Sequence, residues 1–321
     1  MAKVFIAGEV PNKALEILKQ TDIEIDIFKG EKLIDQQTLI EHVKDADYLI
    51  TPLSTNVNRT VIDAAPKLKL IANFGAGTNN IDTAYAAKKQ IPVTNTPFVS
   101  AVSTAEVTTA LIISLSHRVV EGDQLMRTKG FNGWAPLFFL GHQLSGKTLG
   151  ILGMGQIGRE VAKRMHAFDM PILYNQRHQL PKEIEVQLGA KFVSKDELLK
   201  NSDIVTIHMP FVPDTHHYLG AKEFSEMKDS ALLINAARGP IIDETALLTA
   251  LQNKELAGAG LDVYEHEPEV DNGFKQLKNV ILTPHIGNAT VEARNAMAEI
   301  VANNVLAADT KQPIKYIVNN L

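Results

Sequence analysis

The chain has 321 residues, 45% hydrophobic and 21% charged, a length that favours two cores over one. A net charge of −5 with no dense Lys/Arg tract argues against a nucleic-acid partner, and the absence of cysteine excludes disulfides, thiol nucleophiles and thiolate metal ligands. No apolar run approaches the ~20 residues needed to cross a bilayer, and the start, Met1-Ala2-Lys3-Val4-Phe5-Ile6, reads as a first strand, so a cytoplasmic protein without a membrane partner is expected.

Over the first hundred residues short apolar runs alternate with helical stretches, the pattern of a parallel α/β fold. Strands are expected at 3–8, 23–28, 48–51 and 70–74, with helices near 12–20, 35–43 and 58–64. Asn95-Thr96-Pro97 interrupts the alternation. Residues 100–120 then form one long apolar helical run with few charges, expected to be buried against something large. The stretch 121–146 is rich in glycine and aromatics without a clear period, and so long a loop is usually functional or covered by a partner.

From Lys147 the alternation resumes: a strand, a glycine turn, a helix to about 167 and a strand at 172–175. Further strands fall at 204–208, 231–235, 258–263 and 279–282. Asn288-Ala289-Thr290 offers an N-cap for a last helix to about 308, and 314–318 reads as a short terminal strand. The expected fold is α/β, doubly wound, in two domains. Residues 100–287 form a dinucleotide-binding domain; 1–99, with 288–321 returning to it, form the other. The cleft between two such domains is the default place for a substrate.

Directly behind Thr148-Leu149-Gly150-Ile151-Leu152 stands Gly153-Met154-Gly155-Gln156-Ile157-Gly158. A strand running into G-x-G-x-x-G and then into a helix is a dinucleotide-binding turn. Its glycines allow a tight turn, a close approach to the pyrophosphate and close helix–strand packing. The pyrophosphate would lie at the helix N-terminus, where free N–H groups and the helix dipole favour an anion. The next strand, Ile172-Leu173-Tyr174-Asn175-Gln176-Arg177, decides between the two dinucleotides. NAD sites usually carry an acid at its end for the ribose hydroxyls. Asn175 stands there instead, and Arg177 supplies a cation for a 2′-phosphate, so NADP is preferred and NAD remains possible.

Three residues follow strand ends of the same domain: Arg238 in Asn-Ala-Ala-Arg-Gly, Glu267 after Leu-Asp-Val-Tyr, and His285 in Thr-Pro-His-Ile-Gly. Ligands gather at the carboxyl ends of parallel strands. An arginine can hold a carboxylate through its fork and polarise a neighbouring carbonyl. A histidine can deliver a proton as hydride arrives at carbon, and a carboxylate on its other nitrogen keeps the ring oriented. Spacing alone leaves plainer readings open, since Arg-Gly is often a simple turn and Glu-Pro a solvated loop.

The segments G-M-G-Q-I-G, N-A-A-R-G-P-I-I-D-E, A-G-L-D-V-Y-E-H-E-P and T-P-H-I-G-N-A-T resemble, in order and spacing, the signature blocks of the D-isomer-specific 2-hydroxyacid dehydrogenases. The resemblance covers essentially the whole chain. It implies two Rossmann-like domains, the substrate domain flavodoxin-like and built from both chain ends. It places the catalytic set on Arg238, Glu267 and His285, with Asp262 facing the cofactor. His208, Pro210, Ala236 and Gly287 fall in the cofactor-binding blocks. Asn73-Phe74-Gly75-Ala76-Gly77-Thr78 is similar to the family loop whose backbone N–H groups take the substrate carboxylate, here Gly75, Ala76 and Gly77, with Leu53 lining the same pocket.

The block around Trp134 is similar to one in glyoxylate/hydroxypyruvate reductases, where the matching Trp reaches into a neighbouring subunit's substrate pocket. A homodimer reducing a small 2-oxoacid such as glyoxylate or hydroxypyruvate is therefore the expectation. 3-Phosphohydroxypyruvate, pyruvate or a branched 2-oxoacid are alternatives, as is a nucleotide-sensing corepressor-like scaffold. No metal is expected: His216 and His217 are adjacent and cannot both present one face of a regular element to an ion, and no H-E-x-x-H occurs.

Overall fold

The computed structural model describes residues 1–30 and 32–320. The chain divides into two compact units, 1–100 with 289–321 and 101–288.

The first unit runs β1 (Lys3–Ile6), α1 (Asn12–Leu18), β2 (Glu24–Ile27), α2 (Gln36–Val43), β3 (Tyr48–Pro52), α3 (Arg59–Asp63), β4 (Leu70–Phe74), α4 (Thr83–Lys88) and β5 (Val93–Thr94). Its five strands are parallel in the order β2-β1-β3-β4-β5, a flavodoxin-like arrangement. Both faces of the sheet are covered, so the central strands read as continuous apolar runs and not as alternations. Leu39, Val61, Ile62 and Ala86 from α2, α3 and α4 pack on one face. Ala14 and Leu18 of α1 pack on the other, with Met297, Val301 and Val305 of the C-terminal helix (Val291–Asp309). The hydroxyl oxygen of Thr290 caps that helix by accepting from Ala293 N at 3.2 Å. Its return to this unit buries an apolar stripe that β1, β3 and β4 would otherwise expose.

The expected terminal strand at 314–318 does not form. Ile317 makes a single antiparallel bridge to Thr94, and the tail is pinned by a side chain: Asn319 Oδ1 accepts from Val93 N and its Nδ2 donates to Ile91 O. This amide, with the backbone bonds from Val318 N to Val93 O at 2.8 Å and from Asn95 N to Tyr316 O at 3.3 Å, closes the edge of β5.

The second unit runs α5 (Ala101–Ser116), α6 (Val119–Thr128), β6 (Leu149–Leu152), α7 (Gln156–His166), β7 (Ile172–Asn175), α8 (Lys182–Leu188), β8 (Ala190–Phe192), α9 (Lys195–Asn201), β9 (Ile204–Ile207), α10 (Ala221–Glu226), β10 (Leu232–Asn235), α11 (Glu244–Gln252), β11 (Gly258–Leu261), α12 (Asn272–Gln276) and β12 (Val280–Leu282). The seven parallel strands lie in the order β12-β11-β10-β9-β6-β7-β8, a doubly wound sheet whose order reverses between β6 and β9. α5, α7 and α8 pack on one face, and α9, α10, α11 and α12 on the other.

The single helix expected over 100–120 is two helices. It breaks at Arg118, whose φ of 56° is left-handed and whose guanidinium pairs with Glu121 and lies 4.0 Å from the Phe139 ring. The first third of the expected loop 121–146 belongs to α6. The apolar run itself is explained inside its own unit, because Ala105, Leu111 and Ile112 of α5 sit in the core beside Val161 and Met165 of α7. Among the described residues no helix is long and apolar enough to cross a membrane.

Candidate active site

Strand register sets the site. Across the larger sheet Asn175, Leu152, Ile207, Asn235, Leu261 and Leu282 are successive partners, so six strands finish in one row. The segments that leave that row carry nearly every residue marked by the sequence in this unit. At ~4.8 Å between neighbouring strands, residues 21 to 55 positions apart in sequence become neighbours.

The glycine turn follows β6. Gly153 has φ of 97°, and a Cβ there would lie 2.7 Å from the backbone of His208 and Met209. A Cβ at Gly158 would lie 2.3 Å from Gly153 O, whereas Gly155 has no atom within 4 Å and leaves open space over the helix start. Gly155 is the N-cap of α7 and offers no side-chain cap; Arg159 in the first turn donates from Nε to Met154 O at 3.3 Å, and Lys163, Arg164 and His166 occupy the last turn. An uncapped helix N-terminus under an open glycine is a cradle for a pyrophosphate. The residues present fit the dinucleotide that the sequence motif implies.

At the end of β7 the Asn175 amide donates to Val193 O at 2.8 Å, while Arg177 is exposed. The residue between them went unmarked by the sequence. Gln176 Oε1 accepts from Met154 N at 3.1 Å and its Nε2 donates to His178 O at 2.6 Å, tying the turn that carries Arg177 to the glycine motif. No local pattern distinguishes this glutamine. After β9, His208 shares a 2.9 Å hydrogen bond between Nε2 and Thr206 Oγ1, its Nδ1 is buried without a partner among the described residues, and burial pushes its pKa down. Pro210 is exposed and Ala236 buried.

Arg238 follows β10 on a turn shaped by buried Asn235, whose Oδ1 accepts from Ala237 N and whose Nδ2 donates to Arg238 O, both at 3.0 Å. The guanidinium donates to Ala237 O at 2.6 Å. Burial lowers the Arg238 pKa, opposed by the charge of Glu267; an arginine remains a cation regardless. The glycine after it has a steric reason. A Cβ at Gly239 would lie 1.9 Å from the carbonyl carbon of Tyr264, so only glycine lets the arginine turn pack on the segment leading to Glu267.

Glu267 and His285 meet. His285 Nδ1 lies 2.8 Å from Glu267 Oε2, and Glu267 Oε1 accepts from Tyr264 N at 3.0 Å. Tyr264, also unmarked by the sequence, donates from its hydroxyl to Thr283 O at 2.9 Å and so ties the two segments together. Asp262, expected to face the cofactor, is 1% exposed and has both oxygens engaged inside the chain. Oδ1 accepts from Thr283 Oγ1 at 2.6 Å and from Ile286 N at 2.8 Å, and Oδ2 accepts from Gly287 N at 2.8 Å. This carboxylate holds the 283–287 turn, in which His285 adopts a left-handed φ of 53°.

In the first unit Gly75, Ala76 and Gly77 follow β4. Leu53 lies over Gly75, where a Cβ would sit 2.3 Å from Leu53 Cδ2. Trp134 is 85% exposed, in an irregular stretch after α6. Contrary to the expectation from their adjacency, His216 and His217 come together. They follow a 3₁₀ turn and not a regular element, and the left-handed φ of 47° at His217 sets their rings side by side, centroids 4.0 Å apart and 23° between planes. Their ligand atoms and Glu265 fall within 4.8 Å of one another. Stacked rings direct their in-plane lone pairs alongside one another, and His217 Nε2 already lies 2.7 Å from Glu265 Oε1. The cluster lies at the surface, with both histidines exposed and Glu265 half-buried.

For Glu267, burial raises the pKa, but the hydrogen bond and charge of His285, the Tyr264 N–H and Arg238 together bring it below the ordinary 4.5. A carboxylate lowered on folding stabilises fully above its unfolded pKa and loses that contribution as pH falls through the folded value. The stability difference between wild type and Glu267→Gln in urea unfolding should therefore shrink between about pH 5 and about pH 3. A difference constant over that interval would contradict the ionised pair.

Comparison with known proteins identifies the family. Residues 109–287 match the model of the D-isomer specific 2-hydroxyacid dehydrogenase, NAD binding domain. A Staphylococcus haemolyticus protein named "Putative 2-hydroxyacid dehydrogenase" is 53% identical over 319 residues, covering 99% of this chain and 100% of the relative. The structure of a glyoxylate reductase from Paecilomyes thermophila superposes with a TM-score of 0.86 at 35% identity, covering 99% of this chain and 98% of that one. An NADPH-dependent glyoxylate/hydroxypyruvate reductase from Sinorhizobium meliloti, in complex with NADP and malonate, gives 0.84 at 29% identity, with 99% and 96% covered. The chain belongs to the D-isomer-specific 2-hydroxyacid dehydrogenase family.

Proposed function

We propose that this enzyme reduces a small 2-oxoacid of the glyoxylate/hydroxypyruvate class to the D-2-hydroxyacid, with NADPH preferred over NADH. The observation that carries the reading is the 2.8 Å contact between His285 Nδ1 and Glu267 Oε2. Holding Nδ1 fixes the ring and leaves Nε2 to serve the substrate. Bound reduced nicotinamide would supply the hydride to C2. His285 passes a proton from Nε2 to the carbonyl oxygen, which becomes the hydroxyl, and Glu267 stabilises the cation before that transfer. Arg238 holds the carboxylate and polarises the carbonyl, and the backbone around Gly75–Gly77 offers further donors for the carboxylate. The smaller unit is thus assigned to substrate and the larger to the dinucleotide, through Gly153, Gly155, Gln156, Ile157 and Gly158.

The choice of 2-oxoacid is supported by similarity to the two reductases named above and by the sequence around Trp134. The preference for NADPH is supported by Asn175 and exposed Arg177 at the end of β7. A second copy of the chain is the proposed partner. Trp134, Leu137 and Leu140 are 85%, 84% and 60% exposed, apolar area that association would bury, and Trp134 would act in the neighbouring subunit.

Replacing His285 by Ala should cut kcat by ~10²–10⁴ in a steady-state assay, and near-normal turnover would remove it from the proton-donor role. In kcat/KM comparisons NADPH should outperform NADH, and Arg177→Asp should reverse the order; equal or better efficiency of the wild type with NADH would refute the preference. Gel filtration should give a dimer, and a stable active monomer would exclude the action of Trp134 in trans.

A further inference from the structure

The loop after β4 is held by a set of side-chain amides that the reading above does not use. All three of its carbonyls are occupied. Gly75 O accepts from Thr96 N at 3.0 Å and from Asn73 Nδ2 at 3.4 Å, Ala76 O from Asn95 Nδ2 at 2.7 Å, and Gly77 O from Asn73 Nδ2 at 2.6 Å. In a planar trans peptide the carbonyl and the following N–H point in opposite directions. Pinning these three oxygens therefore turns the N–H groups of Ala76, Gly77 and Thr78 the other way. Among the described residues none of those three N–H groups donates to a protein acceptor.

The direction of the lock is set one residue further back. Asn80 Nδ2 faces three acceptors: Pro52 O at 3.3 Å, Thr55 O at 3.1 Å and Asn73 Oδ1 at 3.2 Å. Only the amino side of an amide can face three acceptors, so the Asn80 orientation is determined. Asn73, which is 0% exposed, must then offer its oxygen to Asn80, and that turns its own Nδ2 to Gly77 O. Asn80 Oδ1 is left buried and without a partner among the described residues, an arrangement that stability alone does not favour.

We propose that Asn80, Asn73 and Asn95 are positioning residues for the substrate carboxylate: by fixing the carbonyls of 75–77 they aim the N–H groups of Ala76, Gly77 and Thr78 at it. The inference rests on the proposed role of this loop in carboxylate binding, and it moves the donor set one residue onward, to include Thr78. The three asparagines themselves touch no substrate. Their contribution is a preorganised direction, so its loss weakens binding of the carboxylate without removing the proton donor.

The test is a split between KM and kcat. With Asn80→Ala, KM for glyoxylate and the inhibition constant of oxalate should rise together by about tenfold, as expected for misdirected hydrogen bonds to a charged group. Saturating kcat should stay within about threefold and NADPH affinity should be unchanged, since only oxoacid binding is perturbed. A structural role alone would lower the active fraction, and so kcat, while leaving both oxoacid constants where they were; that result overturns the proposal. Should Asn80→Ala fail to fold, Asn95→Ala, which frees only Ala76 O, should show the same paired rise at smaller size. Ala76→Pro removes one aimed N–H directly and separates the two levels of the argument. A raised KM there with unchanged constants in the asparagine variants refutes the positioning role alone, and no effect in any variant refutes carboxylate binding by the loop as well.

Discussion

Everything in the larger unit depends on one constraint, the parallel register that ends six strands in a single row. Parallel strands send all their exits to the same edge, and the crossover helices return the chain to the opposite one. The glycine turn, the Asn175–Arg177 turn, His208, Arg238, Asp262 and His285 thus share an edge although they span more than a hundred positions of sequence. The regular hydrogen-bond ladder does the long-range placement. What remains for individual side chains is the last few ångströms.

Those last ångströms are set by close backbone contacts and by buried polar side chains. Gly153 and Gly239 each stand where a Cβ would collide with another segment's backbone, and each therefore brings two strand exits into contact. Asp262 works in the same way with charge. Its two oxygens collect three donors from the turn that presents His285, which a neutral or longer side chain could not do equally well. Tyr264 then links the turn to the Glu267 segment. The His285–Glu267 pair is the outcome of this scaffold.

Much of this is legible in the sequence. The strands follow from apolar runs between breakers, except the short edge strands β5 and β8, which the sequence did not mark, and the switch to Gly153-Met154-Gly155 marks the first exit of the larger sheet. Arg238, Glu267 and His285 follow strand ends, but spacing alone leaves plainer readings open, and it is the family resemblance that singles them out. The misses have a common physical origin. The break at Arg118 depends on a side chain finding Glu121 and Phe139, and the tail is held in part by hydrogen bonds of the Asn319 amide that leave no periodic trace. The contact of His216 with His217 comes from one left-handed residue. Gln176, Tyr264 and the asparagines of the 73–95 segment act through three-dimensional partners, which sequence spacing does not encode.

The central claim is that the pair His285–Glu267 serves reduction of a 2-oxoacid at C2. Its most direct measurement is the stoichiometry and chirality of product formed from hydroxypyruvate and NADPH. The account predicts one D-glycerate for each NADPH oxidised, with His285→Ala slowing both signals together by ~10²–10⁴. Formation of the L-enantiomer, or no NADPH or NADH oxidation with any 2-oxoacid of a broad panel, would contradict it.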